Sequence, residues 1–266
     1  VQAGFALNDE FAAEVTHYEA LTLTTAPAVC EARMGHWLLR ASRSSTMRSN
    51  SATWLGQRGT PLASATLDEI EAWYAANEQA PAFRTNEIIT PQGTSAELAS
   101  RGYTAAGGTV LMTLASDRML ALGTSAIPLA GNWLPLSVQD GMRQVGVWKG
   151  LPPDEVAREA SRQTRFQGIE RMCGVEIDGA VCCVGLARVL GHDVGVFNVH
   201  TRSDVRGKGL ARALVVNQLR WARGQGAERA FLQVDLANAA AIRLYVQLGF
   251  SVLYEYQTWV RPVLKR

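Results

Sequence analysis

The residues best suited to chemistry lie in one stretch, Gly195 to Phe250. Its first part is a glycine turn, Arg206-Gly-Lys-Gly-Leu-Ala211, set between the apolar run Gly195-Val-Phe-Asn-Val199 and the amphipathic segment Leu210 to Ala222. Gly207 and Gly209 remove side chains where a strand turns into a helix, and the first turn of a helix carries N–H groups with no helical partner. Such groups cradle phosphate or pyrophosphate, and Arg206 and Lys208 add positive charge. A turn of this kind also starts ordinary helices, so alone it decides nothing. The second part is more telling. Asn238 stands where an N-cap belongs, Tyr245 follows about two helical turns later, and Gly249 is placed to stop the helix.

Two competing phosphate motifs fail on particular residues. The dinucleotide fingerprint needs a third glycine where Arg212 stands, and no glycine loop ends in the Gly-Lys-Ser/Thr of a nucleotide triphosphate site. The whole pattern instead resembles the GNAT superfamily of acyl-coenzyme A N-acyltransferases. Arg206, Gly209 and Ala211 match its Arg/Gln-x-x-Gly-x-Gly/Ala signature. Asn238, Ala241, Leu244-Tyr245 and Gly249-Phe250 match the later part, and the similarity runs approximately from Phe166 to Arg261.

That resemblance implies acetyl-coenzyme A as cosubstrate. Backbone groups of Phe197, Val199 and Thr201 would hold its pantetheine arm and carbonyl. N–H groups of Arg206, Gly207, Lys208, Gly209, Leu210 and Ala211 would hold its pyrophosphate, and Asn238 would contact the pantetheine side. Tyr245 matches the tyrosine that protonates, or hydrogen-bonds to, the departing sulfur. The general base is left open. Where several relatives carry a glutamate ahead of the glycine motif, this chain has Gly195. Glu176, Asp193, His200 and Asp235 are the candidates beside a water chain. His200 has the most suitable intrinsic pKa.

The elements that must position these groups follow from pattern. Glu170 to Ile177 reads as a strand, Asp178-Gly179 as a hairpin turn, Ala180 to Arg188 as its partner, and Val194 to His200 as the strand entering the glycine loop. Ala230 to Val234 and Ser251 to Val260 supply two more strands. Ahead of them, Val138 to Trp148 and a segment from Pro153 read as amphipathic helices. The second has Val156 and Ala160 inward and Arg158, Arg162 and Arg165 outward. This is the expected acceptor region.

The first half reads as helix from Asp9, strands near Met34–Arg40 and Ser51–Leu55, and a helix capped by Thr66 with Glu69 as capping-box partner. Strands follow at Ala82–Ile89 and Thr109–Leu114, around a short helix capped by Thr94 or Ser95. Met119–Leu122 is a further strand candidate. That order is what the superfamily shows, without a glycine pyrophosphate loop. The chain therefore resembles a bacterial tandem type: an α/β, acyl-coenzyme A N-acyltransferase (GNAT) fold with a mixed central sheet flanked by helices in each half. By that resemblance residues 1–127 would form a degenerate N-terminal domain and residues 128–266 the catalytic one. The boundary is expected near Ala126 to Asp140, where Pro128, Gly131 and Pro135 sit.

Composition narrows the class. The chain has 266 residues and a net charge of +2. There is no basic patch interleaved with aromatics, so nucleic acid is not an expected partner. No apolar run reaches the roughly 18 residues of a membrane span, and Val1 to Phe5 has no leader character. Cys30, Cys173, Cys182 and Cys183 show no Cys-x-x-Cys spacing, and the four histidines form no ligand motif, so no metal is expected. Cys182 and Cys183 should point to opposite faces of their strand. Free buried thiols fit a cytoplasmic protein. The expected function is acetyl transfer from acetyl-coenzyme A to a primary amine of a small molecule, amino acid or peptide, by a monomer or homodimer. The alternatives are a catalytically silent coenzyme A binding or sensing module and a structural or interaction protein.

Overall fold

The computed structural model describes residues 8–44, 46–124 and 131–261. It divides into two compact units. The first holds Val1–Val110, Asp235–Ala237 and Leu253–Arg266, and the second Leu111–Val234 and Asn238–Val252. The expected boundary around Pro128 and the basic tail after Arg261 lie outside the described residues.

In the first unit, α1 (Asp9–Thr25) is capped by Asn8, whose side chain accepts the Phe11 N–H at 2.9 Å. Next come the hairpin β1 (Cys30–Met34) and β2 (Trp37–Ala41), then β3 (Ala52–Trp54), α2 (Ser64–Ala76), β4 (Ala82–Thr85) and α3 (Thr94–Ser100). The chain crosses between the units within β5 (Thr104–Leu114), on either side of Asp235–Ala237, and within β11 (Ser251–Val260). The strand order of the first unit is β1-β2-β3-β4-β11. Its core carries a wholly buried ion pair, Arg84 to Glu19 at 2.8 Å, with the Arg84 guanidinium 3.7 Å from the centre of the Tyr256 ring. Burial pushes the Glu19 carboxyl up against the opposing pull of Arg84.

Several expectations for this half change. α2 starts at Ser64 with Ala63 at its cap position and no capping side chain, so the Thr66–Glu69 box does not form. Neither Thr94 nor Ser95 caps α3. Its cap residue is Gly93 in the left-handed region, and the Thr94 hydroxyl donates back to the Pro91 carbonyl at 2.7 Å. The strand from Ala82 stops at Thr85 because Asn86 takes over: its side chain accepts the N–H groups of Ile88 and Ile89.

The second unit begins with α4 (Ser116–Thr124), a helix where a strand was expected at Met119–Leu122. Periodicity cannot separate the two for so short an apolar run. Edge strand β6 (Asn132–Leu136), α5 (Val138–Trp148) and α6 (Pro153–Gln163) follow, then β7 (Ile169–Ile177), β8 (Ala180–Leu190), β9 (Asp193–Thr201), α7 (Leu210–Gly224), β10 (Arg229–Asp235) and α8 (Ala239–Gln247). The order is β10-β9-β8-β7-β6. β7 and β8 meet through Asp178 and Gly179, both with positive φ, as a type I′ hairpin requires.

Arg162 is buried against expectation. Its guanidinium pairs with Glu159, which lets a charged group share the inner side of α6 with Val156 and Ala160. Cys182 and Cys183 also depart from plain alternation. Val175 pairs with Cys183 and Glu176 with Val181, so Cys182 is an unpaired bulge residue, and both thiols join one cluster with Cys173, Val175 and Leu214. Burial pushes the Cys183 thiol up to about 11.

The order of elements repeats along the chain. β3, a loop, α2, β4, α3, a left-handed Gly102 and β5 are followed later by β9, a loop, α7, β10, α8, a left-handed Gly249 and β11. β3–β4 and β9–β10 are both parallel pairs.

Candidate functional site

β9 and β10 run parallel from the Asp193–Arg229 rung to the Val196–Leu232 rung, and there their pairing ends. β9 continues to Thr201 and β10 to Asp235. Past the last rung the carboxyl ends of two parallel neighbours are unpaired with each other, the place where open α/β sheets receive ligands.

Just beyond that rung β9 is irregular against its other neighbour, β8. Val184 pairs with His200 and Leu186 with Phe197, which leaves Gly185 alone opposite Asn198 and Val199. Two residues facing one make a β-bulge. Asn198 has φ 51°, a conformation that asparagine tolerates better than most residues. The extra residue changes the phase of the strand. Phe197 packs with Val145, Met172, Val184 and Leu186 on the side of α5. Two positions later, where plain alternation would repeat that side, Val199 packs instead with Val205, Leu210 and Leu214 of the loop and α7. His200 returns to α5 and stacks on Trp148, ring centres 5.7 Å apart and planes 21° from parallel. The Asn198 side-chain N–H contacts the Met142 sulfur at 3.2 Å.

The loop after Thr201 is pinned at both ends. Arg202 donates its backbone N–H to Cys182 at 2.9 Å and holds Asp204 with two side-chain bonds at 2.6 and 2.9 Å. Val205 is buried with Leu210. Arg206 turns back to donate its Nε–H to the Thr201 carbonyl at 3.2 Å. Gly207 and Gly209 then take φ of 79° and 76°. Gly209 is the cap residue of α7, and the first helical bond runs from Ala213 N–H to its carbonyl at 3.0 Å. The amides of Leu210, Ala211 and Arg212 precede that bond. A Cβ at either glycine would stand in open space, with no protein atom within 4 Å. These features fit a pyrophosphate: bare backbone, unclaimed helix-start amides, and Arg206 and Lys208 exposed beside them.

α8 completes the set. The Asn238 side chain caps it by accepting the Ala241 N–H at 3.1 Å. Tyr245 is 8% exposed, with its ring edge-on to Phe250. Gly249, at φ 93°, ends the helix, and Phe250 N–H reaches back to the Tyr245 carbonyl at 3.0 Å.

The candidate bases are dispersed. A Cβ at Gly195 would collide with the rings of Phe197 and Phe231, so aromatic carbon fills the position where the resemblance would place a glutamate. Asp193 opens β9 at the end away from the loop, is 2% exposed, and is held by both Arg229 donors at 3.1 and 2.9 Å. Asp235 ends β10 and accepts the N–H of Ala237. Glu176 lies on β7, two strands and so about 10 Å across the sheet from β9. His200 is half-buried next to the bulge, and burial, with Lys149 and Arg206 nearby, holds its pKa below the usual histidine value.

Pattern alone did not single out Asn198, Gly185 or Gln218. Gln218, on α7, is wholly buried and donates to the carbonyl of Gly185 at 2.8 Å. The one available signal was a glutamine inside the apolar stripe Leu214, Val215, Leu219, Ala222.

Comparison with known proteins agrees with this geometry. Residues 12–258 match the family described as probable histone acetyltransferase Rv0428c C-terminal. The uncharacterized N-acetyltransferase YobR of Bacillus subtilis is 24% identical over 243 residues, 91% of this chain and 97% of that protein. Among solved structures, a GCN5-related N-acetyltransferase from Kribbella flavida superposes with a TM-score of 0.69 at 18% identity, covering 95% of this chain and 96% of that one. A tandem GNAT protein from the clavulanic acid biosynthesis pathway gives 0.64 at 16% identity, covering 96% of each.

Proposed function

This chain belongs to the GNAT superfamily, in the family of the probable histone acetyltransferase Rv0428c C-terminal region, and on that premise we propose how its residues carry out acetyl transfer. It is an acetyl-coenzyme A-dependent N-acetyltransferase. Its acceptor is a primary amine of a small molecule, amino acid or peptide. The observation that carries this is the β9 bulge leading straight into two left-handed glycines at the start of α7.

Acetyl-coenzyme A supplies an activated acetyl thioester. The backbone of Phe197, Val199 and Thr201, beyond the last β9–β10 rung, orients its pantetheine arm, and the amides of Arg206 to Ala211 take its pyrophosphate. Holding the thioester against a fixed edge converts an encounter between two solutes into a step within one complex. Backbone N–H groups at the bulge are suited to developing oxyanion charge. Tyr245 gives its hydroxyl proton, or a hydrogen bond, to the departing sulfur. His200, next to the bulge and with its pKa lowered by burial, is the group on β9 placed to accept the amine proton, since Asp193 lies at the far end held by Arg229. Glu176 serves only through intervening water at its distance. The first unit is a degenerate copy of the second. Its equivalent loop has Pro61, which lacks an N–H, ahead of α2.

Isothermal calorimetry with the full chain tests the assignment. Micromolar acetyl-coenzyme A binding at one site per chain is expected. No heat with acetylated or free coenzyme at millimolar ligand would sink it.

A further inference from the structure

Gln218 has no exposure to solvent and takes no part in the chemistry above. A buried carboxamide is unfavourable unless its hydrogen bonds are made. Its Nε2 makes two, to Gly185 O at 2.8 Å and Arg171 O at 3.2 Å, on neighbouring strands β8 and β7. Its Oε1 has no hydrogen-bond partner among the described residues. A leucine would suit the surrounding apolar stripe better, so packing alone does not account for a glutamine here.

Gly185 is the residue that faces the bulge. Leu214, one helical turn before Gln218, fills the space of the side chain that Gly185 lacks, and Val199 Cγ2 lies 3.5 Å from the same point. Leu210, a turn earlier again, starts this helix face at the glycine loop and packs with Val199. One face of α7 thus joins loop, bulge and the β8 residue opposite the bulge.

We propose that Gln218 is a positioning residue for acetyl transfer: its bond to the Gly185 carbonyl holds the bulge in register, and through it the backbone of Val199 to Thr201. This rests on the acetyl-coenzyme A function assigned above. Without the two donors, β8 can slide toward plain pairing with β9, which would turn Val199 and Thr201 to the opposite side.

The test uses the full chain with Gln218→Met, which keeps length and removes both donors. Val189→Ala, in the β8 core away from the bulge, serves as a stability control. Without ligand, amide exchange at Val199 to Thr201 should quicken at least tenfold in Gln218→Met and stay unchanged in the control. The acetyl-coenzyme A dissociation constant should rise at least fivefold and kcat/KM should fall at least tenfold, again not in the control. Wild-type exchange and affinity in Gln218→Met, or the same losses in Val189→Ala, would overturn the proposal. If Gln218→Met does not fold, Gln218→Asn, whose arm is one methylene short, must show the same local exchange change, and wild-type behaviour there would overturn it. Wild-type protein that binds no acetyl-coenzyme A would sink the assigned function instead, a failure the ligand-free exchange arm keeps separate.

Discussion

Gly209→Val is the sharpest perturbation of the glycine loop. Gly209 sits at φ 76°, ψ 3°, where a β-branched residue is strained whatever space surrounds it. Holding a residue in such a region costs about 1–3 kcal/mol, and each kcal/mol lowers Tm by roughly 2–4 °C in a protein of this size. Strain alone would also be paid by Gly191→Val, at the β8–β9 turn, where φ is 59° and the space is equally open. The two variants should therefore lose similar stability by thermal melts. They should part on ligand. At 209 the new methyl groups enter the space in front of the Leu210, Ala211 and Arg212 amides, so acetyl-coenzyme A affinity should drop at least tenfold, about 1.4 kcal/mol. At 191 it should stay within twofold. Equal coenzyme affinities for both variants, with equal melting losses, would refute the role given to this loop and leave Gly209 as an ordinary helix start.

Three further outcomes are expected. Tyr245→Phe keeps the ring against Phe250, so it should fold and bind acetyl-coenzyme A normally while kcat falls about a hundredfold, the low end for general acid loss; unchanged kcat with chemistry rate-limiting would return Tyr245 to a packing role. The folded pKa of His200 is lowered, so the unfolded chain binds more protons, and stability from this site is full above about pH 6.5 and lost as pH falls through the folded pKa. His200→Gln should flatten the denaturation midpoint between pH 7 and 5, and an unaltered slope would count against that environment. Arg84→Met strands the Glu19 carboxylate in the core of the first unit and should cost about 3–5 kcal/mol in urea unfolding; a loss below 1 kcal/mol would mean Glu19 is already neutral.

What the sequence made legible was whatever local chemistry decides. Asn238 as a cap, Gly249 as a stop and Asp178-Gly179 as a hairpin each depend on neighbours a few residues away, and each forms. The amphipathic run Val138–Trp148 becomes a helix with those limits because its apolar spacing spans three turns. Thr66 failed as a cap because Ser64 and Ala65 extend the helix past it, and no local rule ranks one N-cap against packing of the turn before. Arg162 failed because a charge can be buried once Glu159 is a turn away, which depends on the whole environment of α6.

The deepest gap concerns faces. An alternating strand from Val194 to His200 predicts that Val194, Val196, Asn198 and His200 share one side. Asn198 breaks that rule, and it shifts the sides on which Val199 and His200 lie. No residue of β9 announces the bulge. Its causes are distributed: a glycine on β8, a leucine and a glutamine one turn apart on α7, and an asparagine tolerant of positive φ. Each alone has a bland explanation. Together they turn the strand out of phase just where its pairing with β10 ends. A backbone edge suited to a thioester arises there because a long-range contact overrides the period of two. Residues that act through their backbone are set by such contacts, so their side-chain types carry little sign of the role.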